Sequence, residues 1–251
     1  MVMNMKASWK RILAVSLAPT ILNLLLSYVL VMLAVPLDVW MSGDPAKISY
    51  HVALATLTYG PLLWGGLALL FALLAVKFMH DEGEALRPYF YLPEGARGKA
   101  TDALLALALA GLSFLLLSIL SPYLTSMLTA PSPEAAEAFY KAVEAMPTWS
   151  KLFMLIASPI LAGVCEEIIW RLYAITRMEE LRQGRPGLPL VLSALLFGLW
   201  HGLSIHAVFC FIYGLIMGFT FIKLRRLTPL VIGHWLADVL GFAYLLFWPS
   251  W

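Results

Sequence analysis

Three short motifs hold the side chains of this chain best suited to chemistry: Glu166-Glu167-Ile-Ile-Trp-Arg171, Phe197-Gly-Leu-Trp-His201 and His234-Trp-Leu-Ala-Asp238. Carboxylates and imidazoles move protons in hydrolysis, and two histidines with two carboxylates are also a donor set for zinc. On a helix, residues four apart lie on one face, so Glu167 meets Arg171, Phe197 meets His201, and His234 meets Asp238. Glu167 stands on the N-terminal side of Arg171, the favourable order for an ion pair. Glu166 points about 100° away from Glu167 and is left without an intrahelical partner. Glu167 and Arg171 are therefore expected to serve structure, and Glu166 chemistry. Cys165, beside Glu166, has no matching histidine that the spacing identifies, so thiol chemistry is set aside. His206 has no motif partner and reads as a residue at a span end.

The elements that must position these groups are membrane helices. The chain is 61% hydrophobic and 13% charged, where a soluble domain carries about a quarter charged residues, and this excludes a water-soluble fold. Uncharged runs long enough to cross a bilayer predict seven helices, at about 12–35, 52–76, 103–130, 152–176, 188–204, 207–222 and 228–248, with an eighth allowed. The expected fold is an all-α, polytopic bundle forming a single membrane domain over residues 1–251, with the motif-bearing core at about 152–248. Lys6, Lys10 and Arg11 precede the first run as in a signal peptide, but the run is longer than such a peptide needs and lacks an A-x-A site, so it reads as an anchor helix. With the N-terminus in the cytoplasm, fourteen Lys and Arg, Lys6 and Arg171 among them, fall on the cytoplasmic side. Only Lys47, Lys141 and Lys151 face outward, as cytoplasmic enrichment in basic residues requires. Trp9, Trp40, Trp149, Trp248 and Trp251 fall at span ends, where interfacial rings sit. Ser132 followed by Pro133 predicts the start of a short helix on the outer surface, with Ala135, Phe139, Val143 and Met146 on its apolar face. The stretch 77–102, mixed in charge and holding Gly and Pro, reads as a solvated loop. Pro61, Pro159 and Pro229 are expected to kink or start helices. The formal charge of +2 gives no ground for a nucleic-acid partner, and Cys165 and Cys210 read as small core residues.

Within those limits, spans one, two, three and six hold no Asp, Glu, Lys, Arg or His. A charge near a helix centre costs roughly 2.5 to 3.5 kcal/mol on insertion, so Glu166, Glu167 and Arg171 together cost about 8 to 10 kcal/mol. The eleven Leu, Ile, Val and Phe of that span contribute only about 3 to 7 kcal/mol in the other direction. The polar face of the fourth helix must therefore meet protein or water, which marks a functional site in a membrane. At 1.5 Å per residue the depths of Glu166, His201 and His234 are compatible with one cavity.

Taken in order on successive helices, the three motifs resemble the CAAX prenyl protease and bacteriocin-processing (CPBP, Abi) family of intramembrane proteases, whose pattern is E-E-x-x-x-R, F-x-x-x-H and H-x-x-x-Asn/Asp. The resemblance covers about residues 152–248; the first three spans are similar in hydropathy alone. It implies an intramembrane endopeptidase acting on a peptide or a lipidated, CAAX-type protein among membrane lipids. By the same resemblance Glu166 would activate water, His201 would help to position it, and His234 with Asp238 would stabilise the oxyanion. Glu167, Arg171 and Phe197 would support them. Many members carry Asn at the last position, and an amide can donate to an oxyanion where an ionised Asp238 can only accept. Asp238 thus acts protonated, orients His234 or binds a metal. The chain has only Asn4, Asn23 and Gln183 as amides, a scarcity seen in hot-environment proteins. A metal-free glutamate mechanism is expected, because no H-E-x-x-H occurs; the alternative is zinc held by Glu166, His201, His234 and Asp238. Proton-coupled transport, and an inactive immunity or scaffold protein of the same family, are the rival readings. The expected location is a prokaryotic plasma membrane.

Overall fold

The computed structural model describes residues 7–248; Asn4, Lys6 and Trp251 lie outside them. It contains helices and no strand among the described residues. Six helical stretches among the described residues are long and apolar enough to cross a membrane. The first, Trp9–Ala34, is made of α1 (Trp9–Ser16) and α2 (Ala18–Ala34). The short α3 (Leu37–Ser42) leads to α4 (Pro45–Asp81), started by the Asp44 carboxylate accepting from the Ala46 and Lys47 amides. At 37 residues, α4 is about 55 Å long and overshoots the bilayer that its expected apolar limits would just cross. The third stretch comprises α5 (Gly95–Ser113), a π-helical segment (Phe114–Leu120) and α6 (Ser121–Thr129). The short helix α7 (Pro133–Ala145) begins where Ser132 and Pro133 predict, with the Ser132 hydroxyl accepting from the Ala135 amide. It packs its Ala138, Ala142 and Val143 face on α4.

The fourth stretch is α8 (Thr148–Leu161), a second π-helical segment (Ala162–Ile175) and α9 (Thr176–Leu181). A π-helix, with i→i+5 hydrogen bonds, usually survives only as a single turn, and such turns gather at functional sites. Here it runs through 14 residues, including the whole Glu166–Arg171 motif. Four residues remain close to one turn, so Glu167 still faces Arg171, while Glu166 diverges. Packing on all sides holds this unusual segment: Ile169, Trp170, Leu172, Tyr173, Ala174 and Ile175 are buried.

The fifth expected span proves short. The helix α10 (Gly187–Trp200) has 14 residues, about 21 Å, against a hydrocarbon thickness of about 30 Å. It returns through α11 (Ile205–Leu224), and α12 (Thr228–Phe247) follows. Gly198 permits the tight α10–α11 contact: an added Cβ would lie 2.8 Å from the Ala207 carbonyl oxygen. Because Arg225, just past α11, chelates Glu179 at 2.5 and 2.6 Å, α11 ends beside the end of the fourth stretch. The hairpin thus goes out and back and keeps the parity of the seven-span expectation.

The stretch 77–102 is not a free solvated loop. Only 82–94 separates α4 from α5, and the Tyr89 carbonyl accepts from the Leu227 amide at 2.7 Å and the Tyr91 carbonyl from the Thr228 hydroxyl at 3.0 Å. Around it lies a layer of ion pairs: Arg11 with Glu82 at 2.9 Å, Arg177 with Glu82 at 2.8 Å and Glu84 at 2.9 Å, and Arg226 with Asp102. Residues of the predicted cytoplasmic side therefore do gather at one end of the bundle. Arg171 is the exception: it is 1% exposed and inside the core.

Candidate active site

A cavity of about 540 Å³ lies between α2, α4, the first π-helical segment, α10 and α12. Glu166, Phe197, His201, His234 and Asp238 all line it. Three distant motifs therefore converge on one space. Glu167 and Arg171 do not reach the wall; they sit behind it, buried.

The position of His234 defines the geometry. Its Nδ1 lies 2.8 Å from Glu167 Oε1, and the other oxygen of that carboxylate is 3.3 Å from Arg171 Nε. An ionised carboxylate only accepts, so Nδ1 carries the proton and donates. The opposite nitrogen, Nε2, then faces the cavity, 3.9 Å from Glu166 Oε2 and 3.9 Å from Asp238 Oδ2. Glu167 is thus more than half of an ion pair: it fixes the orientation and tautomer of His234, which the intrahelical spacing gave no means of seeing. Among the described residues the Nη atoms of Arg171 find no hydrogen-bond acceptor; the guanidinium carbon instead lies 4.0 Å from the centre of the Phe197 ring, whose electron-rich face attracts the cation. Phe197 also stands edge-on to His201 at 4.8 Å and to His234 at 6.1 Å.

His201 follows the same logic. Its Nδ1 donates to the Phe197 carbonyl at 2.9 Å, one turn back in α10. A carbonyl can only accept, so Nε2 is again the nitrogen without the proton in the neutral ring. His206, the second residue of α11, does lie at a helix end as expected, yet it also lines the cavity, with Nδ1 3.1 Å from the Ser121 hydroxyl.

Glu166 is 5% exposed. Its Oε1 accepts from the indole N–H of Trp200 at 2.9 Å. Its Oε2 has no hydrogen-bond partner among the described residues. One oxygen is held by the indole, and the other is buried without a protein partner among the described residues. Trp200 was missed by motif reasoning, since its partner is on another helix. Asn23 was missed as well, although it left a signal: it is the lone amide of an uncharged span, and polar groups at that depth need a partner. Its Nδ2 donates to the Trp200 carbonyl at 2.8 Å, and it lines the cavity.

Cys165 and Cys210 are buried free thiols, in keeping with core roles. Among the described residues no three of His, Cys, Asp and Glu come close enough together to hold a metal ion.

The chain matches no curated protein and no solved structure. Residues 148–240 match the family model described as type II CAAX prenyl endopeptidase Rce1-like. That segment holds all three motifs and most of the cavity's polar wall, whereas α1 to α7 lie outside it. The six apolar stretches make the chain a multi-pass membrane protein. Its motif-bearing segment, residues 148–240, is similar to the Rce1-like family of type II CAAX prenyl endopeptidases.

Proposed function

We propose that the protein is an intramembrane endopeptidase in which Glu166 activates water for attack on a peptide bond close to the cytoplasmic side of the bilayer. The observation that carries this reading is the division of labour on one carboxylate of a cavity-lining residue: Oε1 is anchored by Trp200, while Oε2, buried 3.9 Å from His234 Nε2, has no hydrogen-bond partner among the described residues. A general base needs that combination of fixed position and a free lone pair. Glu166 takes one proton from water as the oxygen bonds to the substrate carbonyl carbon. His201, through Nε2, holds the same water in line. The carbonyl oxygen becomes an oxyanion, and His234, when doubly protonated, points Nε2–H at it while Glu167 and Arg171 balance the charge behind. Collapse of the tetrahedral species breaks the C–N bond, and Glu166 hands its proton to the leaving amine. Protonated Asp238 serves as a second donor to the oxyanion, where family members with Asn use an amide.

Membrane-associated or lipidated proteins of the CAAX type are the proposed substrates. The apolar cavity wall formed by Leu24, Trp64, Leu117 and Leu245 suits a hydrophobic segment beside the scissile bond. Purified protein in liposomes, given prenylated C-terminal peptides, tests the reading by mass spectrometry of the products. Glu166→Gln is expected to abolish cleavage and leave the fold intact, and a chelator is expected to leave wild-type turnover unaltered. Retained turnover in the variant counts against the assignment of Glu166, and absence of cleavage by the wild-type protein counts against an enzyme as opposed to a transporter.

A further inference from the structure

We infer that Trp200 is a positioning residue for Glu166, and that Asn23, from the first membrane stretch, sets the end of the helix that carries it. The inference rests on the reading of Glu166 as the base. A glutamate has three rotatable side-chain bonds, and burial alone does not choose among its rotamers. In this cavity a single protein hydrogen bond reaches it among the described residues, the Trp200 indole N–H to Oε1 at 2.9 Å. The indole cannot swing away. Trp200 is 2% exposed, and its ring lies 5.4 Å from that of Trp170. Trp170 itself sits in the π-helical segment that bears Glu166.

The helix α10 stops at Trp200, inside the bundle, and a helix end leaves carbonyls without intrahelical donors. Asn23 Nδ2 satisfies the Trp200 carbonyl at 2.8 Å, and the Thr20 hydroxyl, one turn earlier on α2, donates to the Leu196 carbonyl at 3.4 Å. Ser27 in turn donates to Asn23 Oδ1 at 3.3 Å, which fixes the amide orientation. A chain of contacts therefore runs from α2, outside the family-matched segment, through Trp200 to the base. The first span has a part in the site beyond anchoring.

The decisive substitution replaces Trp200 by β-(3-benzothienyl)alanine, which keeps the bicyclic shape and lacks the N–H. It is expected to lower kcat about ten- to a hundredfold, the range that a misplacement of about 1 Å costs. KM for a prenylated peptide in liposomes should stay within about twofold, because the lost interaction does not hold substrate. Asn23→Leu should lower kcat in the same direction and by less. In spectra of 15N-tryptophan protein, the Trp200 indole signal, assigned through Trp200→Phe, should move on Glu166→Gln as its acceptor loses charge. Wild-type kcat in the isostere, with Glu166→Gln inactive, overturns the inference and leaves the base assignment standing. A fall in kcat matched by collapse of the melting temperature also overturns it, by making Trp200 structural. Activity retained by Glu166→Gln removes the base assignment and this inference together.

Discussion

Glu166 and Glu167 are adjacent and chemically identical, and they differ only in what each carboxylate meets. Glu167 is enclosed between Arg171 and His234, while Glu166 lines the cavity with one oxygen on Trp200 and the other without a protein partner among the described residues. Removing the charge of Glu167 strands Arg171, which is 1% exposed, as an uncompensated buried cation. Glu167→Gln should therefore destabilise the protein by about 3 to 5 kcal/mol, read from unfolding in detergent, whereas Glu166→Gln should lose turnover with little change in stability. Asp238 gives a second residue-level test. Its side chain is 24% exposed, on the cavity side of His234. If it donates to the oxyanion, Asp238→Asn keeps a donor in place and should retain most activity, while Asp238→Ala should lose about 100-fold or more in kcat, as removal of one oxyanion donor does. Equal loss in both variants would show that a carboxyl group itself is needed there.

At the scale of elements, close packing sets the positions of the motif helices. Gly163, three residues before Glu166, faces α12: a Cβ there would lie 3.1 Å from both the Trp235 nitrogen and the Val231 carbonyl oxygen. Both are backbone atoms, so the neighbour can yield only by moving α12, and His234 with it. Gly163→Val should cost about 1 to 3 kcal/mol through overpacking, and it should lower kcat further than the loss of folded protein accounts for. Thermal unfolding and active-site-normalised turnover on the same preparation separate the two effects. The π-helical segments belong to this scale too. Both border the cavity, through Leu117 and Ser118 on one side and Ala162 and Glu166 on the other. Hydropathy is insensitive to whether a turn closes on the fourth or fifth residue, so nothing in the apolar pattern reveals them.

For the whole molecule, the ion pairs of Arg11, Arg177, Arg225 and Arg226 gather at one end of the bundle, and Lys47 and Lys151, in the first turns of α4 and α8, and Lys141, on α7, lie on the other side of the crossings. With both native thiols buried, Arg87→Cys is expected to react with a membrane-impermeant maleimide only in inverted vesicles, and Lys141→Cys only in intact cells; the reverse pattern would invert the proposed orientation. Sequence alone sufficed for the membrane class, the all-helical bundle, the helices that carry the three motifs, and the separation of Glu166 from the Glu167–Arg171 pair. Each of these follows from local properties, namely hydropathy over about 20 residues and spacing within one or two turns. The tertiary structure alone decided that Glu167 orients His234 across 67 positions, that Trp200 holds Glu166 across 34, and that Asn23 reaches Trp200 across 177. It also decided that α10 stops within the bundle, and that the expected loop at 77–102 docks on α12. Such contacts join side chains whose own neighbours say nothing about their partners, and they exist because packing the helices brings buried donors and acceptors to where each must find the other.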